Sequence, residues 1–279
     1  MHIRKLTAQD IPDLLNTLNG AFADYIVPYK LNAAQLHAKM ESEGILPEWS
    51  VGVFEDGQLV AFMMHGVRET AAGIVVYNGG TGVLPRYRGQ GLVGKMYQHI
   101  QPFFEEMQVQ QIILEVIGSN HAAIRAYEKE GFAVQRKLLC FGGELQAKSI
   151  SDTASIKILP GFLWEEFQSF WDISPSWQSA IPSMDSAQPN VLGAFINDEL
   201  MGYVLFNQTN KRFYHIAVAG EHRRKGIGTQ LLEAVQQQLS GEKIRIINVD
   251  ESADNLKLFL EKQGLSIDVV QLEMVKNII

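Results

Sequence analysis

Val83-Leu84-Pro85-Arg86-Tyr87-Arg88-Gly89-Gln90-Gly91 lies over Val218-Ala219-Gly220-Glu221-His222-Arg223-Arg224-Lys225-Gly226 at an offset of 135 residues. Each run follows a strand-like stretch and opens a helix-like one. Tyr127-Glu128-Lys129-Glu130-Gly131-Phe132 lies over Leu260-Glu261-Lys262-Gln263-Gly264-Leu265 at an offset of 133. Two matches in nearly one register, with the same order of elements around them, mark an internal duplication. The 279 residues therefore read as two similar domains, over 1–145 and 150–279, rather than one large one.

The elements around the repeat support this. In the first half the pattern predicts a strand at 2–6, helices near 11–18 and 33–43, and a hairpin of 51–54 with 59–67 about Asp56-Gly57. A strand over 74–84 follows, then a helix from Leu92 that Pro102 is expected to kink or interrupt. A strand (112–116), a helix (120–130) and a strand (132–141) end the half. Residues 145–160 are polar and weakly periodic, the best boundary. Residues 162–170 have helical spacing, and 173–190, rich in proline and serine, read as loop. Then the first-half order returns: a hairpin (191–196, 200–206), a strand (213–218), a helix (227–239), a strand (244–249), a helix (255–262) and a last strand. The fold class is α+β (α/β), each half a mixed, mostly antiparallel sheet flanked by helices.

Composition narrows the function. Hydrophobic residues make up 46% and charged residues 20% of the chain, with net charge −7. Both halves are acidic on balance, which argues against nucleic acid held by phosphate neutralisation. No run is long and apolar enough for a membrane span. The N-terminus lacks a signal-peptide core. The single cysteine, Cys140, excludes an intrachain disulfide and a cysteine-rich zinc site. Seven scattered histidines show no metal-ligand spacing. The expectation is a cytoplasmic protein without nucleic-acid or membrane partners; a homodimer is left open.

The glycine loops carry the first chemical signal. The opening amides of a helix lack internal acceptors and sit at the positive end of its dipole. Glycines let that backbone approach a pyrophosphate, and arginines or lysines add charge-assisted bonds. The plain alternative is a tight strand-to-helix turn with solvated basic residues. Neither loop is a Walker loop, since Gly-Lys-Ser/Thr is absent. Neither is a good dinucleotide fingerprint, since a hairpin series precedes it.

These residues resemble the GNAT superfamily of acetyltransferases, whose signature is Arg/Gln-x-x-Gly-x-Gly/Ala after a Val-x-Pro-like strand end. Arg223, Gly226 and Gly228 complete it in the second half. In the first half two registers fit. One uses Arg86, Gly89 and Gly91. The other uses Arg88, Gly91 and Val93, departs from the family at Val93, and is supported by the repeat. The resemblance implies acetyl-CoA with its pyrophosphate over Arg88, Gly89, Gln90, Gly91, Leu92 and Val93 and its pantetheine arm along Thr81, Gly82 and Val83. In the second half the matching positions are Ile216 to Val218 and Arg223, Arg224, Lys225, Gly226, Ile227, Gly228 and Thr229.

The run Leu114-Glu115-Val116-x-x-Ser119-Asn120-x-x-Ala123-x-x-x-Tyr127-x-x-x-Gly131-Phe132 looks like the corresponding segment of the ribosomal-protein alanine N-acetyltransferases. The resemblance implies Glu115 as base, Asn120 as a cofactor contact and Tyr127 as the acid that protonates the departing thiolate. A strand carrying Glu115 and the next helix carrying Tyr127 can face one cleft. Such help is worth about 10²–10⁴-fold. The bland readings are an edge carboxylate, a core aromatic and a helix N-cap. The second half lacks the set: Glu115 falls on Asn248, Asn120 on Ala253 and Tyr127 on Leu260. Asp24 and Tyr25 lie where family members place a substrate-side loop. Trp164, Phe167, Phe170 and Trp171 read as packing. The expectation is an acetyl-CoA-dependent N-acetyltransferase acting on a primary amine of a small molecule, with the first domain catalytic and the second degenerate. The alternatives are an acyl-CoA-binding sensor or scaffold without turnover, and a protein N-terminal acetyltransferase.

Overall fold

The structure is a computed structural model and describes residues 1–27, 29–147 and 152–278. The chain forms two compact units, Met1–Arg136 with Leu272–Ile279, and Lys137–Gln271.

The first unit holds β1 (His2–Lys5), α1 (Ile11–Ala21), α2 (Ala33–Glu43), β2 (Val51–Glu55), β3 (Gln58–Thr70), β4 (Gly73–Val83), α3 (Leu92–Glu106), β5 (Val109–Ile117), α4 (His121–Lys129) and the start of β6 (Ala133–Gly143). Strands β1 to β4 pair antiparallel in sequence order, and β5 joins β4 in parallel. On one sheet face α3 buries Leu92, Met96, Tyr97, Ile100 and Phe104 against Val76, Ile112 and Leu114. On the other, Leu14 and Leu18 of α1 and Leu36 and Met40 of α2 pack on Phe62 and Met64. The sheet thus lies between two helical layers.

The second unit holds the rest of β6, β7 (Ser155–Ile158), α5 (Trp164–Ser169), α6 (Ile181–Ala187), β8 (Asn190–Ile196), β9 (Glu199–Asn207), β10 (Arg212–Val218), α7 (Ile227–Gln238), β11 (Ile244–Asp250), α8 (Asp254–Lys262) and the start of β12 (Ser266–Asn277). Here β7, β8, β9 and β10 pair antiparallel, β10 pairs β11 in parallel, and β6 adds to β11 antiparallel. Ile227, Leu231 and Val235 of α7 pack on Phe206, Phe213 and Ile246. Phe167 of α5 and Met184 of α6 pack on Tyr203 and Leu205 of the opposite face. Both units are mixed, mostly antiparallel sheets flanked by helices.

Four local readings differ from the structure. The division by compactness falls inside β6 and β12 rather than near 145–150, and residues 148–151 of the expected boundary lie outside the described residues. Residues 272–279 count with the first unit because Met274 is buried in its core, Ile278 N donates to Gln110 O at 2.9 Å and Arg136 pairs with Glu273 at 2.8 Å. Helix α3 is not interrupted at Pro102 but continues to Glu106; Phe103 and Phe104 of its last turn pack on Trp49. The boundary stretch 145–160 contains β7. The stretch read as loop holds α6, whose first turn accepts Pro182, a place where proline's missing N–H costs nothing.

Candidate active site

Two strands define the site in the first unit. The pairing of β4 with β5 begins at Ile74↔Val109 and ends at Asn78↔Leu114. Residues 80–83 of β4 stay paired to β3 on the other edge, after a bulge that skips Gly79. The edge of β4 that faces away from β3 is thereby released from β5 over Thr81, Gly82 and Val83. Asn78 anchors the point of divergence: its Nδ2 donates to Tyr97 Oη at 2.9 Å and to Thr81 Oγ1 at 2.8 Å, and its Oδ1 accepts from Gly80 N at 3.1 Å.

The second unit repeats this backbone device. Strand β10 pairs with β11 only through Arg212↔Arg245 and Phe213↔Ile246, and its register with β9 skips Tyr214. Phe213 and Tyr214 are Asn78 and Gly79 moved by the 135-residue offset.

The glycine loops also match in conformation. Pro85–Tyr87 and Gly220–His222 are each one turn of 3-10 helix. Gly89 (φ +76°) is matched by Arg224 (φ +63°), and Gly91 (φ +68°) by Gly226 (φ +91°). A Cβ at Gly89 or Gly91 would meet no atom within 4 Å, so the left-handed backbone is what favours glycine there. Gly91 and Gly226 open α3 and α7 with no side-chain cap among the described residues. The first-turn amides at both helix starts are therefore available to an anion.

The arginines settle the register of the repeat. Arg88 donates from Nε to Val83 O at 3.2 Å, from Nη2 to Ala21 O at 2.9 Å, and from both Nη atoms to Asp24 at 2.7 Å. Arg223 donates from Nε to Val218 O at 2.9 Å, from Nη2 to Phe170 O at 3.0 Å and from Nη1 to Asp172 at 2.7 Å. Arg88, not Arg86, is thus the counterpart of Arg223. Each guanidinium is engaged by its strand end and by the chain at the C-terminal end of α1 or α5. The resemblance implies Arg88 and Arg223 at the pyrophosphate and Asp24 on the substrate side; in the structure Arg88 and Asp24 pair with each other, and Arg223 pairs with Asp172. The hydrogen bonds from Arg88, helped by its charge, hold the Asp24 carboxyl below its ordinary value.

The acid–base residues gather around the first splay. Tyr127, on α4, is buried and its hydroxyl meets the Thr81 side chain; burial pushes its pKa up to about 12, with the Thr81 contact acting the other way. Asn120 is the N-cap of α4, accepting from Ala123 N at 3.2 Å, and its Nδ2 donates to Tyr25 Oη at 3.3 Å. Tyr25 with Asn120, and Thr81 with Tyr127, are thus two hydrogen-bonded pairs. Glu115, on β5, accepts from Tyr77 Oη at 3.1 Å.

Sequence reasoning missed the polar group on the α2 side. Lys39 Nζ donates to both oxygens of Glu43, at 2.7 and 2.6 Å. A Cβ on Gly79 would come within 2.8 Å of Glu43 Oε2. Burial alone would lower the Lys39 pKa, but the charges of Glu43 and Glu115 and the Tyr29 phenol outweigh it, and the net shift is upward. Lys39 and Glu43 are four apart on one helix, a spacing the sequence did offer.

In the second unit the same places are filled differently. Leu260, fully buried, stands for Tyr127. Ala253 stands at the N-cap of α8 where Asn120 caps α4. Asn248 stands for Glu115; it holds a left-handed backbone (φ +62°) and accepts from Gln271 Nε2 at 2.9 Å. An open cleft of about 960 Å³ runs here past Ile216, Val218, Arg223 and Gly228 toward Phe259 and His215.

A strand that parts from its parallel neighbour above a helix-opening glycine loop, built twice in one chain, defines the class. The family model described as Acetyltransferase (GNAT) family matches residues 16–132, and that described as Acetyltransferase (GNAT) domain matches residues 154–273. The chain belongs to the GNAT acetyltransferases and carries two such domains in tandem. It is an N-acetyltransferase by family, and enzymes of this family use acetyl-CoA. Among solved structures, a GCN5-related N-acetyltransferase from Sphaerobacter thermophilus is similar at TM-score 0.73 and 19% identity, over 99% of this chain and 95% of that one. A tandem GNAT protein from the clavulanic acid biosynthesis pathway, solved without AcCoA, is similar at TM-score 0.71 and 13% identity, over 99% and 98%. The ribosomal-protein-S18-alanine N-acetyltransferase from Escherichia coli matches 50% of this chain and 81% of its own at 24% identity, with TM-score 0.41. No curated protein matches the chain. Among the described residues no helix is long and apolar enough to cross a membrane, and no group of metal-ligating side chains is found.

Proposed function

We propose that the first unit transfers an acetyl group from acetyl-CoA to the primary amine of a small molecule. Glu115 takes the proton of the incoming ammonium, directly or through water. The amine nitrogen then forms its bond to the thioester carbon as the carbon–sulfur bond breaks. Tyr127 gives its proton to the departing thiolate. The backbone of Thr81, Gly82 and Val83 lines the pantetheine arm, and the amides from Gly89 to Val93 face the pyrophosphate. Arg88 acts as a tether for that loop. Asn120 and Tyr25 border the thioester end, and Lys39 with Glu43 borders the acceptor.

The observation that carries this reading is Tyr127: a buried hydroxyl, protonated at neutral pH, held over the released edge of β4. The second unit, a degenerate copy, binds CoA through Ile216, Val218 and Arg223 to Gly228 and does no chemistry, since Leu260 and Asn248 replace the acid and base. Turnover of Tyr127→Phe and Arg223→Ala tests the division. Loss in the first with activity kept in the second supports it; the reverse transfers catalysis to the second unit.

A second reading is a sensor that binds acyl-CoA without turnover, favoured by the roomy cleft of the second unit. Release of CoA thiol with an amine panel separates the two. No release despite acetyl-CoA binding would favour the sensor. The one buried thiol, Cys140, is in keeping with a cytoplasmic location.

A further inference from the structure

An acid that gives up its proton is left with a charge. Tyr127 is buried, where a phenolate is costly. A donor stands at that place. Thr81, on the released edge of β4, meets the Tyr127 hydroxyl with its own side chain. The direction of that contact follows from Asn78.

Asn78 is buried and lies where β4 and β5 part. Its Oδ1 is 3.1 Å from Gly80 N. A backbone N–H only donates, so the atom facing it is the oxygen and the amide cannot be turned over. The two Nδ2 hydrogens then go to Tyr97 Oη at 2.9 Å and Thr81 Oγ1 at 2.8 Å. Thr81 Oγ1 accepts there, which leaves its one hydrogen to donate. Its acceptors in reach are Asn78 Oδ1, at 3.1 Å, and Tyr127 Oη. Oδ1 already takes the Gly80 N–H, and a phenolate is the stronger acceptor. The Thr81 hydrogen thus goes to Tyr127 once the phenol ionises.

The second unit shows that these groups form one set. At the 135-residue offset Asn78 becomes Phe213, Thr81 becomes Ile216 and Tyr97 becomes Leu232, and at 133 Tyr127 becomes Leu260. All four are apolar there. Val83, Arg88 and Gly91 keep their residue type in Val218, Arg223 and Gly226, and β10 still parts from β11. The polar set is therefore not needed to part the strands or shape the loop. It goes with the tyrosine.

We propose that Thr81, aimed by Asn78, is a positioning residue for proton transfer. Its hydroxyl donates to Tyr127 Oη, keeps the Tyr127 proton turned toward the CoA sulfur, and holds the phenolate after that proton has left. The O–H bond of Tyr127 breaks as the S–H bond forms, and water returns a proton to Oη before the next turnover. This rests on the reading of Tyr127 as the acid.

With Tyr127 replaced by 3,5-difluorotyrosine, a more acidic phenol, fluorine NMR of the full chain follows its ionisation. Adding Thr81→Val should raise the midpoint by about 1–2 pH units, the worth of a hydrogen bond to a charge. Adding Thr81→Ser should leave it in place. With Tyr127 intact and an amine from the panel above, Thr81→Val should lower kcat about 10–100-fold at unchanged KM for acetyl-CoA, and Thr81→Ser should restore it. A midpoint that Thr81→Val does not move overturns the proposal even if kcat falls, since the residue then acts on shape alone. So does a kcat kept in Thr81→Val while Tyr127→Phe loses it; the reading of Tyr127 then stands. If Tyr127→Phe keeps kcat, that reading falls and the proposal with it. Should Thr81→Val fail to fold, Thr81→Ala carries the same expectations.

Discussion

The two splays share a backbone and differ in contents. Both have a one-residue bulge, a 3-10 turn, a left-handed residue three before the helix and another at its N-cap, and an arginine bound to the carbonyl five residues before it. Yet Asn78 becomes Phe213, Glu115 becomes Asn248 and Tyr127 becomes Leu260. The comparison teaches that the glycine loop and the polar residues Asn78, Glu115 and Tyr127 are separable parts: the loop's conformation persists where those side chains are replaced. The first unit fills its splay with hydroxyls and an amide. The second leaves a cleft of about 960 Å³.

The comparison breaks first, and most visibly, at Tyr127. Tyr127→Phe should lower kcat about 10²–10⁴-fold with little change in KM for acetyl-CoA, whereas Leu260→Met at the matching place should leave kcat alone. With its pKa near 12, Tyr127 should cause no alkaline loss of kcat below about pH 11. Such a loss centred near pH 9 would remove it as the acid.

Stability separates the units next. Glu273→Gln breaks a mostly buried pair with Arg136 and should destabilise the first unit by about 3 kcal/mol. Trp49 reports the first unit, and Trp164, Trp171 and Trp177 the second, so denaturation of Trp49→Phe beside the wild type assigns the change. A shift confined to the second unit's tryptophans would refute the assignment of residues 272–279.

Acid should treat the units alike. His65 in the first and His215 in the second are both lowered to about 4 by burial. The stability they confer is fully present above the unfolded value of about 6.5 and is lost as pH falls toward 4. Unfolding near pH 5 should therefore take up roughly two protons from this pair, read from the pH dependence of Tm and calorimetric enthalpy. Loss in one unit only would mean that one histidine is already charged.

The smallest effect belongs to the tethers. Asp24→Asn and Asp172→Asn loosen exposed ion pairs and should change CoA affinity only a few-fold, each in its own unit. A loss of hundred-fold from Asp24→Asn would return Arg88 to a direct role on phosphate.

Much of the fold was legible because periodicity and turn residues agreed with burial: helix 33–43 and the hairpin about Asp56-Gly57 appear as read. The glycine loops were legible as a repeat, since spacing survives substitution. Partners were not. The ion pair of Arg88 with Asp24 joins residues 64 apart, which no local pattern encodes. Helix α6 was hidden by its proline and serines, which also suit a first turn. Lys39 and Glu43 were visible as a helical pair, but nothing local shows that Glu43 approaches Gly79. Glu115, Asn120 and Tyr127 were nameable only through a family likeness; their surroundings came from the strand splay.

Residues 272–279 complete the core of a unit that otherwise ends at Arg136. A chain made from its N-terminus ordinarily lets each domain fold as it emerges. Here the place of Met274 stays empty until nearly the whole second unit has been synthesised. The first unit to be translated is thus the last that can close, and its maturation is timed by the ribosome's progress through the other.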